Sequence, residues 1–332
     1  MKPAGMVAIE LEMARQAQDA QASFAAAGPR AVEIAASLRQ TGRVVLLGMG
    51  ASHALNRTVE QFYRAHGIDA VALPLSEQLS MPLPLVGKTV LLASQSGESA
   101  EVVRWLETAR AGDVFGVTLD ANSALAQAVP SLIGLGGNEL AFAATRSLTL
   151  CFALHLAVLA ALDAGTARAM EHLGAVVPDL SEAIAAFGDI ATIATSGRRL
   201  QGVAEAAALG LCELSRLPAF SLEGGQMRHG PMEVMGPALG VVLFRSDEPD
   251  SNLIAALAAA ARDAGAPVVM FDGSGDAVVP GIVTISLPRA SGMAAVFAAL
   301  PVMHRFMVDF AATRVADVGT PRRSFKIMRT EI

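Results

Sequence analysis

With 332 residues, a net charge of −6 and an apolar share of 53%, the chain is too long for one ordinary hydrophobic core and suits two domains of about 150 residues each. Charged residues make up 17%, and no Lys/Arg cluster with interleaved aromatics precedes the short tail, which argues against nucleic acid as a partner. The two cysteines, Cys151 and Cys212, lie in apolar helical patterns without a CxxC partner, so small core residues in a reducing compartment are expected rather than a disulfide or a metal site.

The N-terminus turns polar by Arg15 and carries no charged-then-apolar signal pattern, so the protein is expected in the cytoplasm. A helical segment from Ala8 to Thr41 precedes a first strand, Val44 to Leu47, which runs into the turn Gly48 to His53. A second strand, Thr89 to Ala93, runs into Ser94-Gln95-Ser96-Gly97-Glu98-Ser99 and then a helical pattern to Ala111. The apolar stretch Leu148 to Leu162 falls short of the ~20 residues that cross a bilayer and reads as a buried helix, so no membrane is expected. A long helical stretch, Asp163 to Phe187, follows.

The second half repeats the first. Arg43 to Ser52 matches Asp189 to Arg198, Thr89 to Ser96 matches Gly240 to Asp247, and Phe115 to Leu119 matches Val268 to Asp272. The offsets lie near 150 residues, a domain rather than a solenoid repeat. Short Val/Ile/Leu strands alternating with helical patterns such as Leu253 to Ala264 predict two doubly wound parallel α/β sheets with flanking helices. Ligands bind such sheets beyond the carboxyl ends of the strands, where strand order reverses.

The two loops named above fit that place. Backbone N–H groups at a helix start carry a partial positive charge, and Ser52, Ser94, Ser96 and Ser99 add hydroxyl donors able to close on phosphate oxygens. Gly97 lets the backbone approach a ligand. The plainer alternative makes Ser94 and Ser99 helix caps and the glycines simple turns. Two such loops on neighbouring strands favour binding.

GxGxS after the first strand and SQSGES after a later one resemble the sugar isomerase (SIS) domain. Glu213 in LCELS, the run Gly225-Gln226-Met227-Arg228-His229-Gly230-Pro231, and Pro321-Arg322 with Phe325-Lys326 extend the likeness to the isomerase half of glutamine:fructose-6-phosphate amidotransferases. The resemblance implies tandem, flavodoxin-like SIS domains: residues 1–40 as a helical segment, 41–165 as the phosphate-binding domain, 166–320 as the second, and 321–332 as a tail over the active site. It implies a hexose 6-phosphate whose phosphate meets Ser52, Ser94, Gln95, Ser96 and Ser99, with Gly50, Ala51, Phe142 and Ala143 along the sugar. Glu139 to Ala143 resembles the loop that closes on the sugar.

Glu213 would then carry a proton between C1 and C2, His229 would open the ring, and Lys326 would form a Schiff base or stabilise charge at the sugar oxygens. The residue types suit these tasks: a buried carboxylate as base, a histidine titrating near neutrality, a desolvated amine toward a carbonyl. Each residue taken alone reads as a surface charge. No cofactor or metal is implied, and a homodimer is. The family's lysine one turn before the glutamate is Gly210 here, its first-loop threonine is Ala51, its ASTK lysine is Arg146, and the glutamate of GELKHGP is Gln226. The N-terminus carries no glutaminase pattern, so an isomerase, a deaminase, a fructosamine-type 6-phosphate deglycase and a non-catalytic sugar-phosphate sensor all stand as expectations. The second copy of the phosphate loop, Arg245-Ser246-Asp247-Glu248-Pro249, is acidic and is not expected to bind an anion.

Overall fold

The computed structural model describes residues 2–108 and 112–330. These form two compact units, Val7–Arg168 with Thr320–Ile332 (the first unit) and Met1–Met6 with Ala169–Gly319 (the second).

The chain opens with helices α1 (Ala4–Ala26) and α2 (Gly28–Thr41), in place of one continuous helix. Pro29 in the first turn of α2 explains the break, since it lacks an N–H and its ring crowds the preceding turn. Then follow β1 (Arg43–Gly48), α3 (Gly50–Ala65), β2 (Asp69–Pro74), α4 (Leu75–Ser80) and β3 (Thr89–Ala93). The first unit continues with α5 (Ala100–Leu106), β4 (Asp113–Thr118), α6 (Ala124–Ala128), β5 (Ser131–Ile133) and α7 (Arg146–Leu162). The end of the helical pattern expected to reach Ala111 lies outside the described residues.

Where one long helix was expected from Asp163 to Phe187, the structure has 3-10 turns over Ala164–His172, irregular chain, and the short α8 (Ser181–Ala186). Gly165, Gly174 and Pro178 supply the reason, because each disfavours a helix interior. The second unit proceeds through β6 (Thr192–Ser196), α9 (Gln201–Ser215), β7 (Ala219–Ser221) and α10 (Gly224–Met227). It ends with β8 (Leu239–Ser246), α11 (Ser251–Asp263), β9 (Val268–Gly273), β10 (Val283–Ser286) and α12 (Gly292–Ala312).

Each unit carries one five-stranded sheet with every described pairing parallel. The orders are β2-β1-β3-β4-β5 and, read from the matching edge, β7-β6-β8-β9-β10. They are the same arrangement twice, the doubly wound flavodoxin-like order. The central strands are buried throughout β3 and over five of the six residues of β1, as sheets covered on both faces require. One face of the first sheet packs Val45, Leu47, Val90 and Leu92 against Val102, Trp105 and Leu125.

In the second unit, Phe187, Phe306 and Phe310 pack edge-on and stacked, and Phe244 stacks on Phe271 with centroids 4.9 Å apart. Helix α12 is long and apolar enough to cross a membrane, but 83% of its apolar window is buried in protein, as in the core helix of a folded domain.

Helix α9 lies so close to α12 that a Cβ added at Gly210 would sit 2.6 Å from Met307 Sδ. A lysine at this position, as in the resembled family, therefore needs Met307 to take another conformation. Gly210→Leu is expected to cost roughly 1–3 kcal/mol by overpacking, read as a lower urea midpoint with an unchanged slope. An unshifted midpoint would show that Met307 swings away freely.

Candidate active site

Strands β1 and β3 are neighbours although two crossovers separate them in the chain, so the strand order reverses between them. Their last residues are paired, Gly48 with Ala93. The loop carrying Gly50, Ala51 and Ser52 and the loop carrying Ser94 to Ser99 therefore leave the sheet at the same level, at the crevice where doubly wound folds take ligands. Gly48 suits the tight first exit, since a Cβ there would lie 3.0 Å from Ser52 and Asn56. Gly50 begins α3 with φ +50°, and Ala51 and Ser52 in its first turn are half-buried.

The second loop is fixed by its own hydrogen bonds. Ser94 Oγ accepts from Gly97 N at 3.1 Å, and Ser96 Oγ accepts from Glu98 N at 3.2 Å. Leu119 N and Thr118 Oγ1 both donate to the Gln95 carbonyl. Gly97 has φ +64°, and a Cβ on it would lie 2.3 Å from Ser123 Oγ. Its need for glycine thus comes from packing on the α6 cap as well as from any ligand. Glu98, the one acid in the loop, accepts from Ala124 N at the start of α6, which turns its charge toward that helix. Ser99 occupies the N-cap of α5 without a side-chain capping bond, so the reading of Ser99 as an ordinary cap does not hold.

Between the two loops and α7 lies a small cavity of about 30 Å³, lined among others by Ala51, Ser52, Gln95, Ser147 and Cys151. It has room for one small group, about the volume of a water, and not for a sugar. Burial pushes the Cys151 thiol up to about 12, with the Glu139 charge adding to the effect, so it is no nucleophile near neutrality. Larger hollows beside α6 and beside Trp105 bring together no titratable side chain except Arg30.

The most heavily bonded group nearby is one that sequence reading placed only within a segment. Glu139 is 2% exposed. Its Oε1 accepts from Thr145 N and Thr145 Oγ1 at 3.0 and 2.9 Å, and its Oε2 from Ser147 Oγ at 2.5 Å and Lys326 Nζ at 3.0 Å. Burial pushes its carboxyl up, but the Lys326 charge with the Ser147, Lys326 and Thr145 hydrogen bonds outweighs burial and holds it below the usual range. One clue was available in the sequence: a single acid within a stretch of small and apolar residues needs a partner when buried. Its partner is 187 residues away.

Lys326 is thus engaged by a carboxylate, and an attack on a carbonyl requires that hydrogen bond to be given up and a proton to leave. Two residues beyond it, the Met328 carbonyl accepts from Ala100 N, the first amide of α5. Gln95 Nε2 donates to Asn138 Oδ1 at 3.3 Å, and Asn138 Nδ2 donates to Asp120. Of the two residues expected along the sugar in this segment, Phe142 is half-buried. Ala143 is fully buried. Arg146 is likewise fully buried and paired inside the unit, so its charge is answered within the protein.

In the second unit, Glu213 is half-buried on α9. His229 is exposed in the turn after α10, a helix whose first amides are held by Glu223. The loops matching the two described in the first unit are filled from within. Arg245 pairs with Asp272 at 3.0 Å and Asp276 at 2.8 Å, Asp247 pairs with Arg289, and Glu248 accepts from Gly292 N. Gln201 Oε1 accepts from Gly197 N. The acidic character expected there is already matched by arginines and a helix start. Among the described residues, no three His, Cys, Asp or Glu side chains come together as a metal site.

No family model matches the chain. It is 28% identical over 332 residues to the isomerizing glutamine–fructose-6-phosphate aminotransferase of Aeropyrum pernix, covering 91% of this chain and 54% of that protein. The Zymomonas mobilis enzyme of the same name is 24% identical over 330 residues, with 89% and 53% covered. Among solved structures, the C-terminal domain of the Francisella tularensis glucosamine-fructose-6-phosphate aminotransferase superposes with a TM-score of 0.83 at 16% identity, over 95% of this chain and 98% of that one. The chain has the tandem sugar-isomerase fold. The Escherichia coli tagatose-6-phosphate ketose/aldose isomerase shares it with a TM-score of 0.81 at 21% identity, over 96% and 98%. Resemblance to the isomerizing aminotransferases runs over about nine-tenths of the chain, and the chain spans about half the length of the curated relatives it matches.

A depressed carboxyl has a consequence for acid stability. Its contribution is complete above the unfolded-state value near 4.5 and is lost as pH falls through the lower folded value. The urea midpoint of the wild type is therefore expected to drop more steeply below pH 4.5 than that of Glu139→Gln. Parallel curves for the two proteins would mean that Glu139 is not paired in solution.

Proposed function

We propose that the chain is a phosphosugar aldose-ketose isomerase of amino-sugar type, interconverting glucosamine 6-phosphate-like and fructose 6-phosphate-like sugars with release of ammonia. One observation carries the reading: two hydroxyl-bearing loops end level at the strand-order reversal of the first unit, with Gly48 opposite Ala93. Main-chain amides and the Ser52, Ser94, Ser96 and Ser99 hydroxyls, with the Gln95 amide, are the groups proposed to take the phosphate, and Gly50, Ala51 and Phe142 lie along the sugar. The relatives' names, an isomerizing aminotransferase and a ketose/aldose isomerase, support the same substrate class.

The chemistry follows from the residue types. His229 opens the ring by taking a proton from the O1 hydroxyl and returning one to the ring oxygen. Glu213 removes the C2 proton of the open-chain 2-amino aldose and delivers it to C1, while O1 gains a proton and the amine nitrogen gives one up. The resulting ketose imine is hydrolysed, and ammonia leaves. Lys326 neutralises charge at the sugar oxygens, or attacks the ketose carbonyl once released from Glu139. The resemblance also supports a cytoplasmic homodimer, which light scattering on the purified protein would check.

Incubation with glucosamine 6-phosphate should release ammonia and fructose 6-phosphate together. Glu213→Gln should lose turnover by about 10²- to 10⁴-fold, the usual weight of general acid-base catalysis. Ser94→Ala with Ser96→Ala should instead raise KM. No turnover by the wild type, or full turnover by Glu213→Gln, would overturn the reading; release of an amino acid from a phosphorylated fructose-amine would select the deglycase.

A further inference from the structure

We infer that Arg146 and one polar face of α1 are positioning machinery: together they set the Asn138-Glu139 peptide, which hands one side chain to the phosphate loop and the other to Lys326. The inference rests on the proposed function only in taking those two recipients as the groups that meet the sugar phosphate.

Arg146 opens α7 with no exposed surface. Its Nε donates to Glu12 Oε2 at 2.5 Å, Nη1 to Asp19 Oδ2 at 3.1 Å, and Nη2 to the Gly137 carbonyl at 2.8 Å. A buried guanidinium is costly unless its donors and charge are answered, and here two carboxylates of α1 answer both. The same face of α1 then reaches the loop directly. Glu12 Oε1 accepts from Leu140 N at 3.0 Å, Arg15 Nη2 donates to the Gly136 carbonyl at 2.8 Å, and Ser23 Oγ accepts from Leu135 N at 2.8 Å.

Glu12, Arg15, Asp19 and Ser23 recur at the spacing that stacks side chains along one side of a helix. Gly136, at φ +95°, lies so close that a Cβ would sit 2.3 Å from Asp19 Oδ2. The backbone is therefore gripped at Leu135, Gly136 and Gly137 before the pair and at Leu140 after it. Between those grips, Asn138 meets Gln95 and Glu139 meets Lys326.

Apolar side chains replacing Arg146, Glu12 and Asp19 together could fill the same space, so stability alone does not call for the charged group. What a planar fork adds is direction, since it holds two carboxylates and a carbonyl at fixed angles. A lysine, with one compact charge, cannot reproduce that pattern. Arg146 is in this sense a positioning residue and makes no contact with the reacting sugar.

The test uses the ligand-free full-length chain and needs no substrate. Brief acetylation with acetic anhydride is read at each lysine by peptide mass spectrometry, with the melting temperature checking that each variant is folded. Glu139→Gln, Arg146→Lys and Glu12→Gln should each raise the labelling rate of Lys326 by about tenfold, equivalent to a lost interaction of about 1.4 kcal/mol. Lys88, which donates to the Pro84 carbonyl in the same unit, should label as in the wild type. If Arg146→Lys does not fold, Glu12→Gln and Ser23→Ala carry the test. A rise in Glu139→Gln with wild-type labelling in the α1 and Arg146 variants would overturn the inference, and so would unchanged labelling in Glu139→Gln. The expected labelling in a protein that turns over no hexose or hexosamine phosphate would remove the proposed function and leave the positioning intact.

Discussion

Parallel pairing of β1 with β3 is the constraint on which the first unit depends. Main-chain hydrogen bonds hold the two strands in a register that brings Gly48 opposite Ala93, and the strand order reverses between them. The two following loops then diverge onto separate helices and leave a crevice whose floor is fixed by the sheet. A slip of one residue would turn every side chain of a strand to its opposite face and misfit the packing on both, and that fit holds the level at which the loops emerge. The groups that approach this crevice come from distant parts of the sequence, including α7, the segment before it and the C-terminal tail.

A second theme is how charge is handled away from solvent. Glu139 and Arg146 are both buried, and each is answered by opposite charge and by neutral donors or acceptors. The second unit uses the same solution for a different result. There Arg245 stands at the end of β8 among Asp272 and Asp276, and the groups that would meet an anion are already occupied. One architecture is thus built twice, with hydroxyl-bearing loops at the strand ends in one copy and internal ion pairs at the same place in the other.

Much of the fold was legible because Val/Ile/Leu runs ending in Gly or Ser turns mark parallel strands, and the matched segments around Thr89 and Gly240 showed that the pattern occurs twice. The place of the Ser94 to Ser99 loop was legible for the same reason, since a loop at a strand end is local information. What escaped was non-local. Nothing in the neighbourhood of Glu139 announces Lys326, and the burial of Ala143 follows from packing. Gly210 reads as a lost cation in the sequence, while in space it is the point where α9 and α12 come together. The helix expected from Asp163 to Phe187 failed because alanine-rich composition outweighed the breakers Gly165, Gly174 and Pro178.

The C-terminal strap has a bearing on proteolytic sensitivity. Residues 321–325 are exposed and include the adjacent pair Arg322-Arg323, a natural target for trypsin-like proteases. A single nick there would free Lys326 and Met328 together, leaving a carboxylate stranded in the interior and the first amide of α5 without its acceptor. The nicked protein would keep both sheets, so circular dichroism would not report the loss of these two contacts.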